Sequence, residues 1–206
     1  TEGVYKPFHE SAKLFNILNN QVKHKVQRTG LPYFIISEEQ QQGTNFGSRF
    51  TNAIQSIFNK GFDNVITIGN DTPHLQTAHI IAAEQKLHNT PLVLGPSLDG
   101  GFYLMGISKT LFNAETFLNL PWQTRVLRQT ILKLIALKTI EIEVLETLSD
   151  IDAVSDIKTI LNSYKNIAVV VKEILLSITN IKKEYYIQNE AYTSYHFHAF
   201  LYNKGS

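Results

Sequence analysis

The sequence predicts an α/β protein in which a mainly parallel, mixed sheet lies between two layers of helices. Segments whose apolar residues recur at helical spacing alternate along the chain with short runs of β-branched and aromatic residues that are typical of strands. Such alternation indicates βαβ units, which place parallel strands side by side and cover both faces of the sheet with helices. A chain of 206 residues is also long enough for one sizeable core.

Five elements are predicted in the first half of the chain. Apolar residues recur at helical spacing over residues 10–26, which predicts a first helix. The apolar run LPYFIIS at 31–37 predicts a strand, and the amphipathic segment 49–62, whose end a glycine marks, predicts a second helix. The alternating residues of 65–69 predict a strand that runs into a turn, and a further helix is expected at about 75–88.

The second half continues the alternation. Segment 91–107 predicts two short strands around a Gly-Pro and an Asp-Gly-Gly loop, 124–138 predicts a helix, and 140–146 alternates as a strand does. Ser and Asp signals at the start of 149–164 predict another helix. The apolar segment 166–178, interrupted by two charged residues, predicts a buried helix or a strand followed by a helix.

Composition and charge exclude several classes of protein. The hydrophobic content of 43% and charged content of 18% are typical of a soluble globular protein, and the formal charge of +1 gives no basic stripe for nucleic acid. The absence of cysteine excludes disulfides, thiolate catalysis and cysteine zinc sites, and it fits a cytoplasmic protein. No apolar run has the length of a membrane span, and the N-terminus has no signal-peptide pattern.

The two ends of the chain raise separate expectations. A parallel sheet normally starts with a buried strand, and none precedes the first helix here, so we expect the chain to begin inside the loop that follows such a strand. The aromatic segment 183–206 contains His196 and His198, which alternate along a strand-like run. Two histidines alone are weak grounds for a metal site, so we expect aromatic packing over the sheet or at a subunit interface, which is compatible with a homodimer. We expect one domain over residues 1–165, with residues 166–206 packed on it.

Carboxylates recur in the loops that follow predicted strands. They are Asp71 in GNDTP, Asp99 in GPSLDGG, and Asp150 and Asp152 in SDID. In open α/β sheets, ligands bind beyond the carboxyl ends of the strands. Carboxylates gathered in one cleft repel one another, and their common use is to bind a hard cation such as Mg²⁺ or Mn²⁺ together with substrate phosphates. The pattern therefore indicates a divalent-metal site for a phosphate-bearing ligand.

Each of these residues also has a structural interpretation. Asp71 and Asp152 precede predicted helices and could cap them, and Asp99 could close a tight turn. Arg49, in the loop QQGTNFGSRF, either reaches a phosphate or pairs with a surface acid. Trp122, at a Pro-Trp turn, either stacks on a base or sugar or packs in the core.

Glycines let a ligand approach the backbone, and a carboxylate beside them can accept the proton of a hydroxyl group. Gly100, Gly101 and Trp122 are the candidate residues for binding the acceptor, which is the molecule whose hydroxyl group reacts. Asp99 is the candidate catalytic residue.

Five ordered motifs carry a resemblance to a known family. They are QQGTNFGSRF, GFDNVITIGNDTPHL, LVLGPSLDGGFYLMGIS, LPWQTRVL and LSDIDAVSDI. From about residue 30 to residue 160, the chain resembles a small glycosyltransferase-like family with the GT-A fold of nucleotide-diphospho-sugar transferases, a three-layer α/β/α fold. More distantly, it is similar to molybdenum-cofactor guanylyltransferases and to the phospholactate guanylyltransferases of deazaflavin-cofactor synthesis.

The resemblance implies a metal site and a nucleotide site. Carried over by position, the metal ligands are Asp71, Asp150 and Asp152, and the cofactor is Mg²⁺ or Mn²⁺. The relatives grip the nucleotide phosphates with a loop before the first helix, where Lys6 is the remaining basic candidate. The nucleotide-binding candidates are thus Lys6, Arg49, Gly69 and Asn70.

Three functions stay open at this point. The first is a metal-dependent transferase with a nucleotide-sugar donor and a small-molecule acceptor. The second is a nucleotidyltransferase that acts on a small phosphorylated acceptor, in which case pyrophosphate rather than a nucleoside diphosphate is released. The third is a non-catalytic nucleotide-binding domain, which would bind nucleotide without turnover.

Overall fold

The structure is a computed structural model of the chain, and it describes residues 6–137, 140–151, 154–163 and 166–188. These residues form the helices α1 (Lys6–Gln27), α2 (Phe46–Phe58), α3 (Thr77–Leu87), α4 (Ala114–Leu118), α5 (Leu127–Leu137), α6 (Val154–Asn162) and α7 (Val169–Gln188). They also form the strands β1 (Asn64–Ile68), β2 (Leu92–Pro96), β3 (Phe102–Ser108) and β4 (Glu143–Val144).

The four strands form one mixed sheet with the order β1-β3-β2-β4. Strand β3 is antiparallel to both β1 and β2, whereas β2 and β4 are parallel. Strands β1, β2 and β4 therefore run in the same direction, and only β3 opposes them. Their carboxyl ends consequently lie at the same edge of the sheet.

Apolar side chains alternate between the two faces of the sheet, and each face has its own core. Helices α2, α4 and α5 cover one face; buried members of that core include Phe50, Ile54, Leu92, Met105 and Ile131. Helix α3 and the end of α1 cover the other face; its members include Val22, Val26, Ile80, Val93 and Leu104. Helices on both sides of a mixed sheet confirm the predicted α/β class.

A third cluster lies outside the sheet, where α1 packs against α6 and α7. It contains Leu14, Leu18, Ile157, Val171 and Leu175. Of the apolar segment predicted at 166–178, residues 169–178 form the first part of helix α7. Residues 189–206, with His196 and His198, lie outside the described residues. No helix in the described part of the chain has the length and apolar character needed to cross a membrane.

The predicted strand at 31–37 is wrong, because these residues have no regular secondary structure. A strand forms where a neighbouring backbone satisfies its polar groups. Residues 31–36 instead face β1 across a cavity of about 220 Å³, which both segments line. Helix α4 was not predicted; the Asn113 side chain caps it by accepting a hydrogen bond from the Thr116 N–H at 2.8 Å.

Candidate functional site

Three loops lie at the edge of the sheet where β1, β2 and β4 end. Residues 69–75 follow β1, residues 97–101 follow β2, and residues 145–151 follow β4. These loops contain Asp71, Asp99 and Asp150 respectively, so strand direction brings all three predicted carboxylate loops to one edge.

Backbone hydrogen bonds join the three loops to one another. The Leu98 N–H donates to the Leu148 carbonyl at 3.1 Å, which joins the second loop to the third. The Ile151 N–H donates to the Asp71 carbonyl at 2.9 Å, which joins the third loop to the first. Segment 148–151 therefore crosses the edge of the sheet from β2 towards the end of β1.

Asp71 and Asp150 are both buried, in the first and third loops, which a backbone hydrogen bond joins to each other. Each of the two residues is only 7% exposed. The hydroxyl group of Thr72, itself buried, donates a hydrogen bond to Asp150 Oδ1. Carboxylate oxygens are hard ligands, and one or two of them plus substrate phosphates form a common Mg²⁺ site. The donor set is therefore chemically suited to a hard divalent cation.

The third predicted metal ligand, Asp152, lies outside the described residues. Within the part that the structure describes, no group of three or more His, Cys, Asp or Glu side chains could hold a metal ion. The described part of the site thus contains two of the predicted ligands, Asp71 and Asp150.

Tyr103, on β3, is held against the third loop. Its hydroxyl group donates to the Glu146 carbonyl at 3.0 Å. Burial, followed by the negative charges of Glu146 and Asp150, raises the pKa of Tyr103 well above its usual range. The phenol therefore remains a hydrogen-bond donor and fixes the start of the third loop.

Two side chains of α1 hold the first loop. The Asn70 side-chain amide donates to Asn19 Oδ1 at 2.6 Å, and Lys25 Nζ donates to the Pro73 carbonyl at 3.3 Å. Burial lowers the pKa of Lys25 to about 8. Helix α1 thus places a partly buried cationic group beside the loop that contains Asp71.

The alternative interpretation of Asp71 as a helix cap is wrong. Helix α3 begins at Thr77, and its N-cap residue is Gln76. The Gln76 N–H donates to His79 Nδ1 at 3.0 Å. Asp71 therefore lies several residues before the helix, in the loop itself.

The structure supports the turn interpretation of Asp99. Its Oδ1 atom accepts hydrogen bonds from the Ser97 hydroxyl and from the Gly101 N–H, the latter at 2.9 Å. Gly100 has a φ of +95°, and a Cβ atom there would lie 2.7 Å from the Arg125 carbonyl oxygen. Gly100 is thus required by the backbone, while Asp99 is exposed at the surface of the loop.

Arg49 makes its described contacts away from the three loops. Its Nε atom donates to the Gly43 carbonyl at 3.2 Å, and its guanidinium lies 3.9 Å from the Glu38 carboxylate. These contacts correspond to the surface-acid interpretation. Lys6, the other basic candidate, is the first residue of α1.

Trp122 packs within the protein. Its indole N–H donates to the Phe117 carbonyl at 2.6 Å, and its ring centroid lies 4.8 Å from that of Phe50. Gly47 lies directly against it, since a Cβ atom at this position would be 2.5 Å from Trp122 Cδ1. These contacts correspond to the core interpretation of Trp122.

Four residues of the site were not predicted: Thr72, Asn19, Lys25 and Tyr103. The hydroxyl group beside Asp71 in the motif GNDTP is a signal that could have pointed to Thr72. Lys25 lies in a long helix and Tyr103 in a buried strand, and their contacts with the loops arise only from tertiary packing.

Comparison with known proteins gives a family and a fold. The family model described as "Uncharacterized protein conserved in bacteria" (DUF2064) matches residues 11–124. No protein with a curated functional record matches the chain significantly. The similarity to guanylyltransferases stays a prediction.

Among solved structures, the chain is similar to the 1.90 Å crystal structure of a proposed nucleotide-diphospho-sugar transferase from Desulfovibrio desulfuricans G20. The two are 26% identical with a TM-score of 0.62, over 70% of this chain and 64% of that chain. The chain thus spans less than two thirds of that protein. The similarity confirms the predicted fold of nucleotide-diphospho-sugar transferases. Because the family model covers more than half of its 206 residues, the chain belongs to the DUF2064 family of uncharacterised bacterial proteins.

Proposed function

We propose that the chain is a metal-dependent transferase that uses a nucleotide-sugar donor. The observation that carries the proposal is the junction of the first and third loops at the carboxyl edge of the sheet, since each of these joined loops contains a buried aspartate, Asp71 or Asp150. The fold supports it, as does the similarity to the Desulfovibrio desulfuricans protein.

Asp71 and Asp150 would hold Mg²⁺ or Mn²⁺, and Asp152 would complete the set. When bound, the cation supplies neutralisation of the diphosphate leaving group. Thr72 would keep Asp150 oriented through its hydrogen bond, and Lys25 would fix the first loop through Pro73.

Gly69 and Asn70 are the first two residues of the loop that contains Asp71, and they are the nucleotide-binding residues that we favour. Gly69 donates its N–H to the Tyr103 carbonyl at 2.9 Å, so its position is set by the sheet. That Arg49 and Lys6 bind the nucleotide stays a prediction, as does the binding of the acceptor by Trp122.

In the reaction we propose, the acceptor hydroxyl oxygen forms a bond to the anomeric carbon as the bond from that carbon to the diphosphate oxygen breaks. The nucleoside diphosphate leaves with the electron pair. Asp99 is exposed and would accept the hydroxyl proton, beside Gly100 and Gly101 of the same turn.

The test is a thermal-shift screen of nucleotides and nucleotide-diphospho-sugars with and without Mn²⁺, on wild type and on Asp71→Ala. A ligand at about 100 times its Kd stabilises the native state by roughly 2.7 kcal/mol, which is a rise in Tm of roughly 5–10 °C for a chain of this size. We expect this rise in wild type only when Mn²⁺ is present, and we expect Asp71→Ala to lose it.

The matched control is Asp63→Ala, an exposed aspartate at the opposite end of β1. It should keep the full ligand shift. Product analysis then identifies the reaction: a nucleoside diphosphate indicates glycosyl transfer, whereas pyrophosphate indicates nucleotidyl transfer and refutes our choice. Binding without turnover of any screened donor and acceptor would refute the transferase and favour the third function, a non-catalytic nucleotide-binding domain.

A further inference from the structure

Two arginines lie beside the turn that contains Asp99. A Cβ atom at Gly100 would lie 2.7 Å from the Arg125 carbonyl oxygen, so the backbone of Arg125 packs directly on this turn. The Arg128 N–H donates to the Gly100 carbonyl at 3.4 Å. Segment 125–128, which leads into helix α5, therefore borders the turn that was predicted to bind the acceptor.

The segment that presents the arginines is anchored on both sides of Arg125. Trp122 donates its indole N–H to the Phe117 carbonyl at 2.6 Å, and Leu127 is only 5% exposed. The four residues between these two anchors, 123–126, are all exposed. The buried neighbours thus fix the place at which Arg125 meets the solvent.

The same segment contains an unfavourable backbone conformation. Gln123 has a φ of +60°, and it is the one residue other than glycine with a positive φ in the part of the chain that the structure describes. Residues with a side chain rarely adopt this left-handed conformation, and those that do are concentrated at functional sites. The strain at Gln123 is consistent with a segment whose exposed residues bind a ligand.

The charges of the two arginines are not neutralised by the described part of the protein. Arg125 is exposed and Arg128 is half-buried, and neither forms an ion pair with a carboxylate of the described residues. The neighbouring Asp99 instead accepts hydrogen bonds from Ser97 and Gly101. Two positive charges beside one turn attract an anion.

The chemistry of the two side chains defines this anion. A guanidinium group presents a planar fork of donors that matches the oxygens of a phosphate or a carboxylate. We propose that Arg125 and Arg128 bind the anionic group of the acceptor, a phosphate or a carboxylate. The inference rests on the proposed transferase function, because an acceptor held there has its hydroxyl group close to Asp99, which would take the proton. It narrows the acceptor to small hydroxyl compounds that carry a negative charge.

The first experiment maps anion binding by NMR on the 206-residue chain, without nucleotide or divalent metal. Inorganic phosphate and lactate are titrated separately, and glycerol is the uncharged control compound. We expect saturable shifts of the amide signals of Gly100, Arg125 and Arg128 with at least one of the two anions, and none with glycerol. The anion that binds more tightly shows whether the site prefers a phosphate or a carboxylate.

Two double variants test the assignment to these residues. Arg125→Gln/Arg128→Gln removes both charges, and its affinity for the anion should fall by about tenfold or more. Arg125→Lys/Arg128→Lys keeps the charges but loses the planar forks, so its affinity should lie between those of wild type and the glutamine variant. The matched control is Arg28→Gln, at an exposed arginine directly after α1, which should bind the anion as wild type does. An unchanged Tm without ligand shows that the variants fold.

The anion site and the proposed function are tested separately. The glutamine double variant should keep the Mn²⁺-dependent thermal shift with the nucleotide-sugar donor, and Asp71→Ala should keep the NMR shifts with the anion. Anion binding at Arg125 and Arg128 in a chain without any donor shift would refute the proposed function and retain the anion site. With an active donor, the glutamine variant should raise the KM for an anionic acceptor by about tenfold or more with little change in kcat.

Two kinds of result would overturn the inference. Absence of saturable shifts with either anion, equal shifts in the glutamine double variant, or shifts centred on other basic residues would each exclude an anion site at Arg125 and Arg128. Equal kcat/KM values for a neutral acceptor and its phosphorylated or carboxylated counterpart would exclude the role in acceptor binding.

Discussion

Replacement of Thr72 by valine tests whether the junction of the two carboxylate loops is a charge-assisted contact. The Thr72 side chain is 1% exposed, and its hydroxyl group donates to the Asp150 carboxylate. Thr72→Val keeps the shape of the side chain but removes this donor, so a buried carboxylate loses a hydrogen bond.

The expected loss is large for a single hydrogen bond. A bond to a charged partner contributes about 1.5–3 kcal/mol, against about 0.5–1.5 kcal/mol for a neutral pair. For a chain of this size, a loss of about 1.5–3 kcal/mol corresponds to a fall in Tm of roughly 3–12 °C.

The chain offers a matched control in Thr67→Val. Thr67 is also buried, and its hydroxyl group donates to the neutral Met105 carbonyl at 3.1 Å. Urea unfolding of both variants should show that Thr72→Val is the more destabilising by about 1 kcal/mol or more. In an Asp150→Asn background the cost of Thr72→Val should fall towards that of Thr67→Val. Equal costs of the two threonine variants in the wild-type background would refute the reasoning.

Two further predictions concern Lys25 and Gly47. The pKa of Lys25 is about 8 in the folded state and 10.5 in the unfolded state. Between these two pH values the unfolded state binds more protons, so the free energy of unfolding increases as the pH rises. Urea unfolding of wild type and Lys25→Met should show that wild type gains on the order of 1–3 kcal/mol relative to the variant between pH 8 and pH 10, because the Lys25 side chain is partly exposed and solvent weakens the effect. Parallel plots of the free energy of unfolding against pH for the two proteins would contradict this prediction. Gly47→Ala should lower the free energy of unfolding by about 1–3 kcal/mol, because the added Cβ atom would lie 2.5 Å from the indole of Trp122. This loss should exceed the helix-propensity gain of up to about 1 kcal/mol that alanine provides. Gly106→Ala, which meets only the flexible end of Leu87 at 2.9 Å, should cost less in calorimetry, and the reverse order would exclude the packing argument.

The sequence predicted most helices and strands because their apolar periodicity is strong and local. It failed at 31–37, where composition favours a strand but the described neighbours give none to pair with. Strand formation depends on a partner strand that is often distant in the chain, and a local sequence pattern does not contain that information. Helix α4 has only five residues, and a helix this short shows no detectable apolar periodicity.

For the site, the loops were predictable and many contacts were not. Asp71 and Asp150 could be placed at one edge because each follows a strand, and strand direction in this fold is nearly uniform. The position of the α3 cap had to be read from the structure, because GNDTP and the residues after it offer several cap signals. The contact of Lys25 with the first loop depends on how α1 packs, which no local pattern encodes.

Besides the bond from Thr72 to Asp150, two hydrogen bonds between peptide groups join the three loops. The Asp71 carbonyl and the Ile151 and Leu98 N–H groups make these links, and every residue except proline provides both groups. The link from Ile151 to residue 71 uses the carbonyl group of Asp71 and not its carboxylate, so a different side chain at position 71 retains the same backbone acceptor. The carboxylate at position 71 can therefore be exchanged for another group, and the donor set at this edge changed, while the backbone link between the first and third loops is retained.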